Sequence, residues 1–263
     1  MKNLIDNKVF QAVVIALCVV VMCLSVVSIA HSMIGMSVYA EEPSPTPAVT
    51  AAPTPVPTPV PTPTPSPEPT PEPYAAPTEL AELQARNGHV IALLDIPATD
   101  IRYPILQHPT TDNYYLNITI DGESGYPGSL YTNTMEGQNF DTFNTVIYGH
   151  NMRDGSFFGS LKSFRDASYL AEHREINVYT PTQQHAYDIF AVVVYDDRYI
   201  TDVFKDDNAA DCTAFLQSLQ SAGGEKLLLD DVAVDADSHI LTLSTCIDGM
   251  HDNRLLIVAV ERV

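Results

Sequence analysis

Residues 43–77 alternate Pro with Thr, Ser, Ala, Val and Glu almost strictly, and this run constrains the chain more than any other stretch. Each proline fixes φ and removes a main-chain donor, so the run enters neither a sheet ladder nor a helix interior and favours extended polyproline II. At about 3.1 Å per residue it reaches on the order of 100 Å when fully extended. It reads as a semi-rigid stalk, or as a linker with no required length. Of the 263 residues, those after it, 78–263, are enough for one domain of ordinary size rather than two.

Ahead of the stalk, residues 9–30 form an uncharged apolar run. At about 1.5 Å per residue the run matches the roughly 30 Å hydrocarbon core of a bilayer. Lys2 and Lys8 precede it and Glu41 and Glu42 follow, so the positive-inside bias predicts a cytoplasmic N-terminus and an extracellular domain. A cleaved signal peptide is the competing reading, because Val38, Tyr39 and Ala40 resemble a small-residue cleavage site. The length of the run, and its end well before Ala40, favour a retained anchor. The expected organisation is a membrane anchor over 1–42, a Pro/Thr-rich linker over 43–77 and a catalytic domain over 78–263.

The net charge is −20, from 13 basic and 33 acidic residues. A nucleic-acid groove needs clustered Lys and Arg, which this chain lacks, and with no tryptophan it suggests no aromatic platform for bases. The acidity suits solubility outside the cell. Of four cysteines, Cys18 and Cys23 lie in the apolar run and Cys212 in an expected helix, while Cys246 has a chemically loaded setting. A Cys212–Cys246 disulfide is arithmetically possible. No Cys/His spacing suggests zinc, and the pairs Asp196-Asp197, Asp206-Asp207 and Asp230-Asp231 lack calcium-loop grammar. No metal or cofactor is expected. His89, His108, His173, His185, His239 and His251 read as surface or satisfied core residues.

From Thr78 the composition becomes globular. Thr78, Glu79, Leu80 and Leu83 predict a capped amphipathic helix ending near Gly88. Strands are expected at 90–96, 101–107, 128–133, 145–149, 176–180, 185–195, 240–244 and 255–260, with helical segments near 157–164, 167–173 and 209–221. The last helix falls inside a long connection, 196–238. Eight strands with inserted helices fit a largely antiparallel barrel or sandwich.

The final two strands frame the chemistry. Between them runs a polar segment with Asp248, Gly249, Asp252 and Asn253, which reads as a hairpin. Cys246 stands where the first strand ends and Arg254 where the second begins, so the pair is expected at one rim of the sheet. His150 repeats the pattern at the end of the strand in N-T-V-I-Y-G-H. A histidine exchanges protons near neutral pH, and neighbouring cations favour a thiolate. Cys246 as nucleophile, His150 as acid and base, and Arg254 as oxyanion stabiliser form a coherent acyl-transfer set.

T-L-S-T-C at 242–246, followed eight residues later by Arg254, resembles the active-site signature of sortases, the cysteine transpeptidases of Gram-positive surfaces. V-I-Y-G-H-N-M-R-D-G-S-F-F at 146–158 resembles their histidine motif, specifically that of class B. The similarity spans roughly 78–263. It implies an eight-stranded β-barrel, no cofactor, and a reaction in which Cys246 attacks the threonine carbonyl of an L-P-x-T-G-like or N-P-x-T-N-like sorting signal. His150 would protonate the departing amine. An amino group of peptidoglycan, or a lysine of a pilin subunit, would then resolve the thioester. The implied partners are surface proteins bearing such signals, a peptidoglycan amine and the membrane.

The resemblance also places Ser244 and Leu116, the latter in D-N-Y-Y-L, near groove-lining positions. One departure concerns Ile247, because class B sequences often carry a polar or acidic residue directly after the cysteine. That puts signal specificity in doubt. Asp248 could orient His150, although an Asp at a hairpin turn ordinarily serves the turn. A reading of another class, a non-catalytic display or spacer module, fits the stalk and anchor equally well but not the retained Cys, His and Arg.

Overall fold

The computed structural model describes residues 74–97 and 99–262. The expected anchor at 9–30 and stalk at 43–77, apart from the four residues 74–77, lie outside the described residues. Among the described residues no helix is long and apolar enough to cross a membrane.

Nine strands form one sheet: β1 (Val90–Ile96), β2 (Ile101–Gln107), β3 (Leu130–Thr132), β4 (Asn144–Tyr148), β5 (Glu175–Tyr179), β6 (Gln184–Asp196), β7 (Lys226–Leu228), β8 (Ile240–Ile247) and β9 (Met250–Glu261). Their order is β5-β1-β2-β3-β4-β8-β9-β6-β7, and β5 also pairs with β6. That extra pairing closes eight strands into a barrel, as the resemblance implied, with β7 attached outside the ring. Pairing is antiparallel except for β2 with β3 and β4 with β8.

The apolar runs are continuous because both faces of these strands are covered. Leu255, Ile257 and Ala259 of β9 point into the barrel core, whereas Leu256, Val258 and Val260 join an outer cluster. This is the period-2 alternation of a strand, with apolar residues on both sides. The outer cluster is completed by helix α4 (Ala209–Ser221), which buries Cys212, Phe215 and Leu219 and is capped by Asn208, whose side chain accepts from the Asp211 N–H at 2.8 Å. Cys212 is thus a small core residue. Both Cys212 and Cys246 are free thiols, so the disulfide that arithmetic allowed is not formed.

The remaining helices are α1 (Thr78–Arg86), α2 (Ala167–Glu172) and α3 (Ile200–Val203), which bury Leu80, Leu170 and Ile200 respectively. Helix α1 begins without a side-chain cap: Pro77 precedes Thr78, the first helical residue. The fixed φ of proline suits a helix start without a capping hydroxyl. The segment expected to be helical near 157–164 is a 3-10 helix, Gly159–Arg165. The final turn is tighter than the polar segment suggested. Ile247 pairs with Met250, leaving Asp248 and Gly249 as a two-residue loop with Gly249 at φ 78°, a conformation glycine adopts without strain.

Candidate active site

The two parallel strands β4 and β8 place His150 and Cys246 in step. Tyr148 is the register partner of Ser244. Beyond that pair the Gly149 N–H donates to the Ser244 carbonyl at 3.2 Å, and the Thr245 hydroxyl donates to the Gly149 carbonyl at 2.7 Å. His150 and Cys246 each stand two residues past the paired positions. On the other side of β8, Cys246 is the direct antiparallel partner of Arg254. Cys246 is exposed, while the residues before it, Ser244 and Thr245, are buried. The register breaks directly after Cys246, and Ile247 turns back to pack, half-buried, against the barrel core. An apolar residue therefore has a packing role at the position where class B sequences often carry a polar one.

His150 Nε2 lies 2.9 Å from the Leu116 carbonyl. The Arg254 guanidinium donates through Nη1 to the carbonyls of His251 and Asn253, at 3.1 and 2.9 Å. Among the described residues it has no carboxylate partner, in contrast to Arg198, which is paired with Asp196. Arg254 therefore presents a cation without a carboxylate partner at the register position opposite Cys246, where it could offset negative charge on an oxyanion.

A cleft of about 360 Å³ contains all five residues singled out from the sequence: Cys246, His150, Arg254, Ser244 and Leu116. Larger cavities of about 600 and 620 Å³ lie elsewhere and include none of the three reactive residues, so the chemistry rather than the volume marks the site. Asp248 is exposed at the hairpin turn, and among the described residues it makes no hydrogen bond to His150. Among the same residues, no group of three or more His, Cys, Asp or Glu side chains is placed to hold a metal ion.

Sequence reasoning missed the aromatic wall of this cleft. Asn113, in the left-handed region at φ 56°, donates through Nδ2 to the Tyr199 hydroxyl at 3.0 Å and accepts from the Tyr131 hydroxyl at 2.8 Å. Tyr131 and Tyr148 stack with centroids 5.4 Å apart. Burial pushes the Tyr131 phenol up, neighbouring Tyr199 and Cys246 add to this, and Arg254 opposes it, so Tyr131 is a neutral donor at the cleft. The isolated N-Y-Y of residues 113–115 gave no sign of a partner 86 residues later in the chain.

The sortase domain model matches residues 94–262. Sortase B of Listeria monocytogenes is 34% identical over 170 residues, covering 64% of this chain and 67% of that protein. Among solved structures, sortase B of B. anthracis in complex with AAEK1 aligns with TM-score 0.61 at 28% identity, over 72% of this chain and 88% of that one. A Streptococcus pyogenes class B sortase involved in pilus biogenesis aligns with TM-score 0.60 at 25% identity, over 70% and 98%.

Proposed function

We propose, from the premise that the chain belongs to the sortase family of cysteine transpeptidases and that class B sortases are its relatives, that it joins surface proteins to cell-wall peptidoglycan. In this reading the Cys246 thiolate attacks the carbonyl carbon of the threonine in an L-P-x-T-G-like or N-P-x-T-N-like sorting signal. A C–S bond forms and the C–N bond breaks. His150 gives a proton to the departing amine, and Arg254 offsets the charge on the tetrahedral oxygen. An acceptor amine then attacks the thioester, its proton passes to His150 and the thiolate leaves.

The observation that carries this reading is the exposed Cys246 directly opposite Arg254, in one cleft with His150. Ser244 and Leu116, in the same cleft, would contact the signal. Residues 9–30 would anchor the protein in the membrane with the domain outside, and the 43–77 stalk would hold that domain away from the bilayer. A second reading, polymerisation of pilin subunits through a lysine amine, draws support from the Streptococcus pyogenes relative involved in pilus biogenesis.

The test is mass spectrometry of the protein incubated with a library of both signal types, an amine acceptor and a Cys246→Ala control. Cleavage after threonine with the acceptor joined, absent in the control, supports the reading. Glycine-type amines against lysine-bearing pilin peptides separate the two acceptors. Cleavage that survives in Cys246→Ala would sink the mechanism.

A further inference from the structure

The acyl-transfer reading gives His150 a proton to move, and among the described residues no carboxylate is bonded to it to orient it. Two groups at the ends of one loop, residues 116–128, reach the imidazole instead. The Leu116 carbonyl lies 2.9 Å from Nε2. A carbonyl oxygen only accepts, so Nε2 carries the hydrogen of this contact and Nδ1 is left to exchange a proton. From the other end of the loop, the Tyr126 ring lies 4.7 Å from the imidazole, centroid to centroid, at an interplanar angle of 57°. Tyr126 is 66% exposed, so it is not a core residue, and among the described residues His150 is its one ring partner.

The loop holds both groups firmly. The Gly125 N–H donates to the Asn117 carbonyl at 2.8 Å, and the Ser129 N–H donates to the Tyr115 carbonyl at 3.0 Å. Ile118 and Ser124 form a bridge across it. Gly128, at φ +71°, approaches so closely that a Cβ there would meet the Leu116 oxygen at 2.4 Å. The segment carrying Tyr126 is thereby pressed against the same carbonyl that engages His150.

We propose that the Leu116 carbonyl and the Tyr126 ring form a clamp that positions His150 in its Nε2–H form for proton transfer at Nδ1, with Tyr126 as a positioning residue. The inference rests on His150 acting as the acid in the proposed transpeptidation. Nδ1 first takes the proton of the Cys246 thiol, and on leaving-group departure that proton passes to the amine nitrogen as its bond to the threonine carbonyl breaks. The Nε2–H stays on Leu116 throughout.

The experiment compares full-length wild type, Tyr126→Leu and Tyr126→Phe by kcat, KM and melting temperature with a turned-over signal peptide. It adds ¹⁵N NMR of His150 at alkaline pH, assigned with His150→Gln. Tyr126→Leu is expected to lower kcat about tenfold, with KM changed by less than about twofold and the melting temperature kept, while Tyr126→Phe restores the rate. The wild-type spectrum should show the Nε2–H tautomer, and Tyr126→Leu a mixture. A wild-type Nδ1–H tautomer, an unchanged kcat, or a loss confined to KM would each overturn the clamp. If Cys246→Ala and His150→Gln are dead but Tyr126→Leu is silent, the clamp fails and the transpeptidase reading stands. If wild type turns over no signal peptide, that reading fails and the NMR arm still decides the clamp.

Discussion

The Thr245 hydroxyl donates a 2.7 Å hydrogen bond to the Gly149 carbonyl, joining the residue just before Cys246 to the residue just before His150. The two strand ends that carry Cys246 and His150, the proposed nucleophile and acid, are fastened to each other one step back from those residues. Thr245 is buried, so the bond is shielded from competing water. Thr245→Val keeps the shape and leaves the carbonyl unpaired, at a cost of about 1–3 kcal/mol. The expected result is a modest fall in melting temperature with a larger fall in kcat than in binding, read from steady-state kinetics on a signal peptide.

Arg254 has main-chain partners but no carboxylate among the described residues, which suits the oxyanion-stabilising role proposed for it. Arg254→Ala should lower kcat by roughly 10²–10³-fold, the range for losing one oxyanion donor. Arg254→Lys should recover only part of this, because a point charge does not reproduce the planar fork. Single-turnover acylation rates of the two variants check it.

Glu136 predicts how stability depends on pH. It is buried, its Oε2 accepts from the Val146 N–H at 3.2 Å, and its Oε1 has no hydrogen-bond partner among the described residues. Burial pushes its carboxyl up from 4.5 to about 8, the Val146 hydrogen bond opposes this, and Asp206 and Asp112 add to it. Between pH 4.5 and about 8 the folded protein holds a proton that the unfolded chain has released. Stability therefore falls as pH rises through that window, by roughly a few kcal/mol. Glu136→Gln should remove most of this fall and raise the melting temperature at pH 9 by about 5 °C or more. A residual slope of the same sign is expected from Asp206, which burial also pushes up.

Gly149 is a packing requirement beside His150. A Cβ there would meet Leu130 Cδ2 at 2.4 Å and Phe158 Cδ2 at 2.6 Å, both in the barrel core. Gly149→Ala should destabilise by about 1–3 kcal/mol through overpacking and shift His150 at the same time. Thermal melting and acylation rate should fall together, unlike the response to Arg254→Ala, where melting is nearly unchanged.

The barrel strands were legible because most of them carry unbroken apolar or β-branched runs, and the helix at 209–221 because Cys212, Phe215 and Leu219 fall on one face with an Asn208 cap ahead of them. β7 was missed. It is three residues long, lies on the edge of the sheet, and only Leu227 of its side chains is drawn inward, against the core. The site's Cys246 and His150 were legible because each stands at the end of a β-branched strand, and Arg254 because it precedes the apolar run of the next one. Their surroundings were not, since Asn113 meets Tyr199 and Leu116 meets His150 only through contacts distant in sequence. Ile247 shows the same limit: the resemblance marked it as a departure, and only packing against the barrel core explains it.

The most direct test of the central claim is intact-protein mass spectrometry after mixing the full-length protein with a sorting-signal peptide and no acceptor amine. The account predicts an adduct equal to the signal's N-terminal piece through threonine, mapped to Cys246 and discharged by an added amine with product joined. Absence of the adduct while the peptide is cleaved, or an adduct on any other residue, would contradict it.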